Sequence, residues 1–122
     1  MDERPLLAAE RRTADVTRQI AAFNKEFLDE VRAALEAHSL VVVGMAQNPV
    51  VRNARAALKE AGIPFHYVGH GSYLSGYRKR LAVKMWSGYP TFPQVFVKGV
   101  LIGGLRELKP MIASGDLQKQ LG

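Results

Sequence analysis

The segment QNPVV (Gln47–Val51) lies at a type of position where small α/β proteins often place reactive groups. It follows the apolar run LVVV and precedes RNARAALKEAG, which is typical of a helix. A helix N-terminus stabilises negative charge through its unpaired N–H groups and its dipole. The segment nevertheless contains no nucleophile, no general base and no strong metal ligand. Because asparagine is a good N-cap and proline suits the first helical position, we predict that Asn48 primarily caps a helix beginning at Pro49.

A second segment, YPTFPQVFVKGVLIGG (Tyr89–Gly104), contains backbone features suited to binding. Pro93 directly precedes a predicted strand, and a cis bond at this proline would turn the N–H and C=O of Phe92 outward. Backbone groups exposed in this way can pair with an extended peptide, as an added strand does. At the far end, Gly103 and Gly104 let a ligand approach the backbone and lead into a helix N-terminus. In this order the features predict a ligand groove.

The elements that must position these segments begin with a long amphipathic stretch. Between Thr13 and Ala37 the apolar residues recur at steps of three and four, and they are Val16, Ile20, Phe23, Phe27, Val31 and Leu35. Asn24 either divides the stretch into two helices or lies exposed on a single one. The stripe is either a core face or a helix-pairing seam. We expect its second half to contact the core, and a homodimer through this N-terminal helix would bury its first half.

The rest of the chain alternates predicted strands and helices. The predicted strands are 40–45, 65–68, 94–97 and 100–102, and the predicted helices are 49–61, 77–86 and 105–114, with a terminal turn at 117–121. Gly62 suits the position after a helix, and Lys98-Gly99 suits a hairpin turn. A βαβ unit followed by a hairpin predicts an α/β fold, with a mixed four-stranded sheet flanked by helices on both faces.

The pattern in 89–104 resembles the glutaredoxin family, and most closely its monothiol branch, in which W-P-T-F-P-Q precedes a hairpin that ends in G-G. The resemblance covers 27–122 and leaves 1–26 as a partly helical N-terminal extension. It implies a thioredoxin-like fold in which the bond before Pro93 is cis. It also places Asn48 at the position of the nucleophilic cysteine, and Val51 at the position of the resolving cysteine or serine.

These replacements bear directly on the activity that the resemblance implies. The family's members are glutathione-dependent thiol–disulfide oxidoreductases or, in the monothiol branch, iron–sulfur proteins, and either role needs the sulfur that Asn48 lacks. We therefore expect no catalytic residue, no required cofactor and no iron–sulfur cluster. The sequence is best interpreted as a cysteine-free, non-catalytic module that binds glutathione or an extended peptide, or acts in regulation. The family's own activity is the alternative.

The resemblance also implies a glutathione site, which this chain retains in part. The matching residues are Arg80, Lys84, Thr91, Phe92, Pro93, Gly103 and Gly104. Arg80 and Lys84 lie one helical turn apart and suit the glycyl carboxylate of glutathione. Two positions depart from the family pattern. Met45 stands where the family has a lysine, and Arg106 stands where the monothiol branch has an aspartate.

Composition limits the remaining function classes. The 122 residues include no cysteine, which excludes disulfides and thiolate chemistry. The net charge of +6 is uneven, at −2 over residues 1–38 and +8 over 39–122, and it favours an anionic partner. No apolar run approaches the roughly 20 residues that span a bilayer. The charged N-terminus is unlike a signal peptide. We therefore expect a soluble cytoplasmic protein with no membrane partner.

Two weaker signals complete the list of alternatives. His66 and His70 are four residues apart, but they fall in a predicted strand and loop, so we expect no metal site. The aromatic residues Tyr73, Tyr77 and Trp86 interleave with cations, and a surface of this kind can stack bases and hold phosphates. Nucleic-acid binding is therefore a second alternative, although we expect Trp86 to be a core residue and nucleic acid not to be the partner.

Overall fold

A computed structural model describes residues 6–45, 48–69 and 76–122. A short 3-10 turn at Ala9–Arg11 precedes ten regular elements. In chain order they are α1 (Ala14–Ala22), α2 (Lys25–Ala37), β1 (Leu40–Gly44), α3 (Pro49–Glu60), β2 (His66–Gly69), α4 (Tyr77–Ser87), β3 (Gln94–Val97), β4 (Val100–Gly103), α5 (Leu105–Ser114) and α6 (Asp116–Leu121). The predicted elements are confirmed, with bounds that move by one residue at several ends. Gln47, His70 and Tyr73 lie outside the described residues.

The four strands form one mixed sheet in the order β2-β1-β3-β4. β1 is parallel to β2 and antiparallel to β3, and β3 is antiparallel to β4. The β3–β4 hairpin turns through Lys98 and Gly99, both at positive φ, as the tight hairpin turns that match strand twist require. The predicted α/β fold with a mixed four-stranded sheet flanked by helices is confirmed.

β1 explains how the sheet is covered on both faces. Its side chains alternate with the period of two that strands have. Val41 and Val43 pack with α2 and α4, whereas Leu40 and Val42 pack with α3, α5 and α6. Every residue of β1 is buried, which accounts for its uninterrupted apolar sequence. The carboxyl end of β1, which leads into α3, is thereby held between two packed layers.

The N-terminal stretch consists of two helices. Asn24 adopts the left-handed conformation at φ 48° and ends the run of α1 before α2 begins. In the second half of the stripe, Phe27 and Val31 are buried in the core as predicted. In the first half, Val16 and Ile20 are 42% and 39% exposed. The homodimer through this helix remains a prediction.

Trp86 lies partly on the surface of α4. The prediction that it is a core residue is wrong, because 40% of it is exposed. Its ring lies 5.9 Å from that of buried Phe96, so one part of the indole contacts the core and another faces solvent. α4 buries mainly the smaller side chains Ala82 and Val83. No helix within 6–45, 48–69 and 76–122 is both long and apolar enough to cross a membrane.

Candidate functional site

The turn between β1 and α3 is a structural cap. The Oδ1 atom of Asn48 accepts hydrogen bonds from the backbone N–H groups of Val50 at 2.8 Å and Val51 at 3.3 Å. Pro49 occupies the first helical position. The carboxamide therefore satisfies donors that would otherwise be unpaired at the start of α3. The prediction that Asn48 is an N-cap is confirmed.

Two neighbouring positions are also committed to the fold. Val51 is fully buried and packs so closely on β1 that a side chain at Gly44 would overlap it. Met45 is 4% exposed and belongs to the same core cluster as Val51 and Phe92. Neither side chain presents a polar group to a ligand. The turn retains the geometry of an anion-stabilising helix N-terminus, but its side chains serve capping and packing.

The loop from Tyr89 to Gln94 is anchored at both ends. The side chain of Gln94 is completely buried, and its Nε2 donates a 2.9 Å hydrogen bond to the carbonyl oxygen of Tyr89. The backbone N–H of Tyr89 donates to the Ser87 hydroxyl at 3.1 Å. These bonds hold Thr91 and Phe92 between two fixed points. The bond between Phe92 and Pro93 is cis, as predicted.

Several predicted site residues converge on this loop. Lys84 Nζ lies 5.8 Å from the centroid of the Phe92 ring, and Arg80 is one turn earlier on α4. A Cβ built on Gly104 would lie 3.1 Å from the carbonyl oxygen of Pro93. Thr91 is exposed, whereas the side chain of Phe92 is buried. No described residue forms a hydrogen bond with the backbone of Phe92. As far as the described residues go, this N–H and C=O are therefore open to a ligand strand.

The side chain of Glu107, which was not predicted to be a site residue, occupies the start of α5. Glu107 Oε1 accepts hydrogen bonds from the backbone N–H of Gly104 at 2.9 Å and from the hydroxyl of Tyr89 at 3.1 Å. The bond from Gly104, supported by the hydroxyl of Tyr89 and by Arg106, lowers the pKa of the Glu107 carboxyl. Gly103 must lack a side chain here, since a Cβ would overlap this carboxylate. The glutamate at the third helical position is the second half of a capping box, but the sequence lacks the full signal because the N-cap, Gly104, has no side chain.

Comparison with known proteins identifies this arrangement. The Glutaredoxin family model matches residues 41–102. A glutaredoxin-like protein of Dictyostelium discoideum is 39% identical over 114 residues, which cover 90% of this chain and 93% of that protein. The chain belongs to the glutaredoxin family. Monothiol glutaredoxin-4 of Schizosaccharomyces pombe is 26% identical over 114 residues, which cover 89% of this chain but 46% of the yeast protein.

A solved glutaredoxin confirms the thioredoxin-like fold. The buckwheat glutaredoxin, crystallised in complex with glutathione, superposes with a TM-score of 0.68 at 21% identity, over 90% of this chain and 94% of that chain. In this chain the carboxamide oxygen of Asn48 is already engaged by two N–H groups at the start of α3.

The donor set at this turn does not fit the iron–sulfur cluster of monothiol glutaredoxins. The cluster's protein ligand is a cysteine thiolate, and this chain contains no cysteine. Within the described ranges, no group of three or more histidine, aspartate and glutamate side chains could hold a metal ion. His66 instead stacks on His38, with ring centroids 4.1 Å apart and planes 2° from parallel.

Proposed function

We propose that this glutaredoxin-family protein is a non-catalytic binding module that holds glutathione, or an extended peptide of similar chemistry, in the groove at Thr91, Phe92 and Pro93. The observation that carries the proposal is the backbone of Phe92, which bonds to no described residue, is fixed between anchored residues and lies near the ammonium of Lys84. An extended ligand gains backbone hydrogen bonds at such a site without any reactive side chain.

The charges around the groove favour one end of glutathione over the other. Arg80 and Lys84 are the cations that would meet the glycyl carboxylate, each through a charge-assisted contact. The γ-glutamyl end meets a less favourable surface, because Glu107 already takes the N–H of Gly104 and Arg106 would repel the ligand's amine. We therefore expect weak binding that falls as salt is added.

The test is an NMR titration of the ¹⁵N-labelled full chain with reduced glutathione and, separately, with S-methylglutathione. Because no thiol exchange is involved, both compounds should bind with similar affinity and shift Thr91, Phe92 and Gly104. Arg80→Ala and Lys84→Ala should each lower affinity by about 1 kcal/mol. Thermal unfolding of each variant checks that the fold is retained.

The matched control is Lys109→Ala combined with Lys119→Ala, which removes two exposed cations from α5 and α6. If this double variant weakens glutathione binding as much as the substitutions at Arg80 and Lys84 do, the binding reflects only general electrostatic attraction to a basic protein. Shifts confined to residues remote from Phe92 would also reject the groove. A peptide that ends in glycine but lacks the γ-linkage then measures how much the glutamyl end contributes.

Nucleic-acid binding is the second candidate, and one specific observation favours it. Tyr77 and Trp86 are 60% and 40% exposed on a helix whose charged residues are all cations. Since Trp86 is the only tryptophan, quenching of its fluorescence by a thymidine oligonucleotide reports directly on this surface. Binding much tighter than that of glutathione, with a steep dependence on salt, would favour this candidate over the groove.

A further inference from the structure

An open pocket of about 550 Å³ lies between α3 and the edge strand β2, on a different part of the surface from the groove. Arg55 and Lys59 contribute its charged side, and Ile63, Pro64 and Phe65 form an apolar wall. Arg55 is seven residues along α3 from Asn48, which is about 10 Å of helix. The pocket is therefore separate from the start of α3.

The guanidinium of Arg55 is held in place without a complete set of acceptors. Its Cζ lies 3.9 Å from the centroid of the Tyr67 ring, so the planar group rests against the aromatic face. Its Nε is buried and has no hydrogen-bond partner. A buried, charged donor that lacks an acceptor is unfavourable and calls for an explanation such as a ligand. A carboxylate or phosphate presents oxygens in the geometry that a guanidinium matches.

The second cation adds to this unbalanced charge. Lys59 follows Arg55 by four residues, so the two side chains share one face of α3, where like charges repel. Across the described ranges no carboxylate forms an ion pair with either. Burial raises the pKa of Tyr67 despite the opposing effect of Arg55, so its hydroxyl stays neutral near pH 7 and supplies no counter-charge. The missing partner is an anion.

We propose that this pocket binds a small organic anion, a carboxylate or phosphate monoester attached to an apolar or aromatic body. Arg55 and Lys59 hold the charged group, while Ile63, Pro64 and Phe65 contact the body. The guanidinium is positioned beforehand by its stacking on Tyr67, so little side-chain freedom is lost when the anion binds. This site does not depend on the glutathione groove.

NMR titrations of the full chain with four probes test the proposal: phenyl phosphate, benzoate, inorganic phosphate and phenol. Phenyl phosphate and benzoate should give saturable shifts at Arg55, Lys59 and Phe65. Inorganic phosphate should bind more weakly because it lacks the body, and phenol should not bind because it lacks the charge. Shifts located elsewhere, or phenol binding as tightly as phenyl phosphate, would overturn the assignment.

Variants separate a built site from general attraction to a basic protein. Arg55→Gln combined with Lys59→Gln should weaken phenyl phosphate by roughly tenfold or more. Lys109→Gln combined with Lys119→Gln removes the same charge from other helices and should leave affinity within about twofold. Equal losses in both pairs would reject the site. Arg55→Lys keeps the charge but loses the planar stack, so it should weaken binding severalfold, and full retention would contradict the role given to the guanidinium.

Discussion

The turn at Asn48 and the loop from Tyr89 to Gly104 differ in what they present to a ligand. At the turn, Asn48 is an N-cap and Val51 is fully buried. In the loop, the residue pattern persists, and the buried Gln94 fixes the backbone that a ligand would meet. The side chains of the turn therefore serve capping and packing, whereas the loop presents a fixed backbone.

The same contrast applies to the two helix N-termini near the site. At α3 the first N–H groups donate to the carboxamide of Asn48, so the group that caps the positive end of the dipole is uncharged. At α5 the carboxylate of Glu107 accepts a hydrogen bond from the N–H of Gly104, so a negative charge within the chain balances the dipole there. One terminus is therefore available to a negative charge introduced by substitution, and the other is already compensated.

The largest expected effect comes from restoring a thiol at the turn. In Asn48→Cys, the new sulfur lies at the mouth of α3, and Arg52 one turn along adds positive charge. Helix N-termini and nearby cations lower thiol pKa values from about 8.5 toward roughly 3.5–7.5. The variant should therefore alkylate rapidly near neutral pH. It should form a mixed disulfide with oxidised glutathione and stop, because position 51 offers no second thiol.

The Asn48→Cys experiment has two controls. The native chain has no thiol and should neither alkylate nor reduce a glutathione mixed disulfide above background. Ala37→Cys places a thiol at the exposed last residue of α2, where the dipole is reversed, and its pKa should stay at or above that of free cysteine. Loss of the Asn48 cap should lower stability by about 1 kcal/mol. An alkylation midpoint shared by both variants would mean that the turn lacks the assigned electrostatics.

Two substitutions with smaller expected effects distinguish side-chain packing in the turn from backbone positioning in the loop. Val51→Ala removes buried methyl groups and should lower the free energy of unfolding by about 2 kcal/mol, without changing glutathione affinity. Gln94→Ala breaks the hydrogen bond to Tyr89 and should lower the free energy of unfolding by about 1–3 kcal/mol. It should also weaken binding, because the loop carrying Phe92 loosens. Chemical denaturation and NMR titration measure the two quantities, and parallel effects of both variants on affinity would remove the distinction.

Much of the local structure could be predicted from the sequence. The cap at Asn48, the hairpin turn at Lys98 and the buried strand β1 each follow from the preferences of a few adjacent residues. Contacts between distant segments did not follow, among them the stack of His38 on His66 and the seating of Arg55 on Tyr67. The two residues of each pair are 12 or more positions apart in the sequence, and no periodic pattern predicts such a contact. Trp86 was misassigned for the same reason, since its exposure depends on how α4 meets the sheet.

The smallest expected effect concerns the compensated terminus at α5. The lowered pKa of Glu107 means that its ionised form is favoured in the folded chain relative to the ordinary value of 4.5. The unfolded chain then binds more protons in mildly acidic solution, so this stabilisation is complete above about pH 5 and is lost as pH falls through the lowered pKa. The side chain is 33% exposed, so solvent screening limits the effect to about 0.5 kcal/mol.

Glu107→Gln isolates that charge, because glutamine retains an oxygen that can accept from Gly104 and Tyr89. The stability difference between the native chain and this variant should be present at pH 7 and disappear toward pH 3 in urea denaturation. Glu107→Ala also removes the acceptor and should remain less stable at both pH values. If the carboxylate of Glu107 competes with an anionic ligand, Glu107→Gln should tighten glutathione by roughly twofold to fivefold. Unchanged affinity would mean that the ligand's acidic groups never approach α5, and that the groove ends at Pro93.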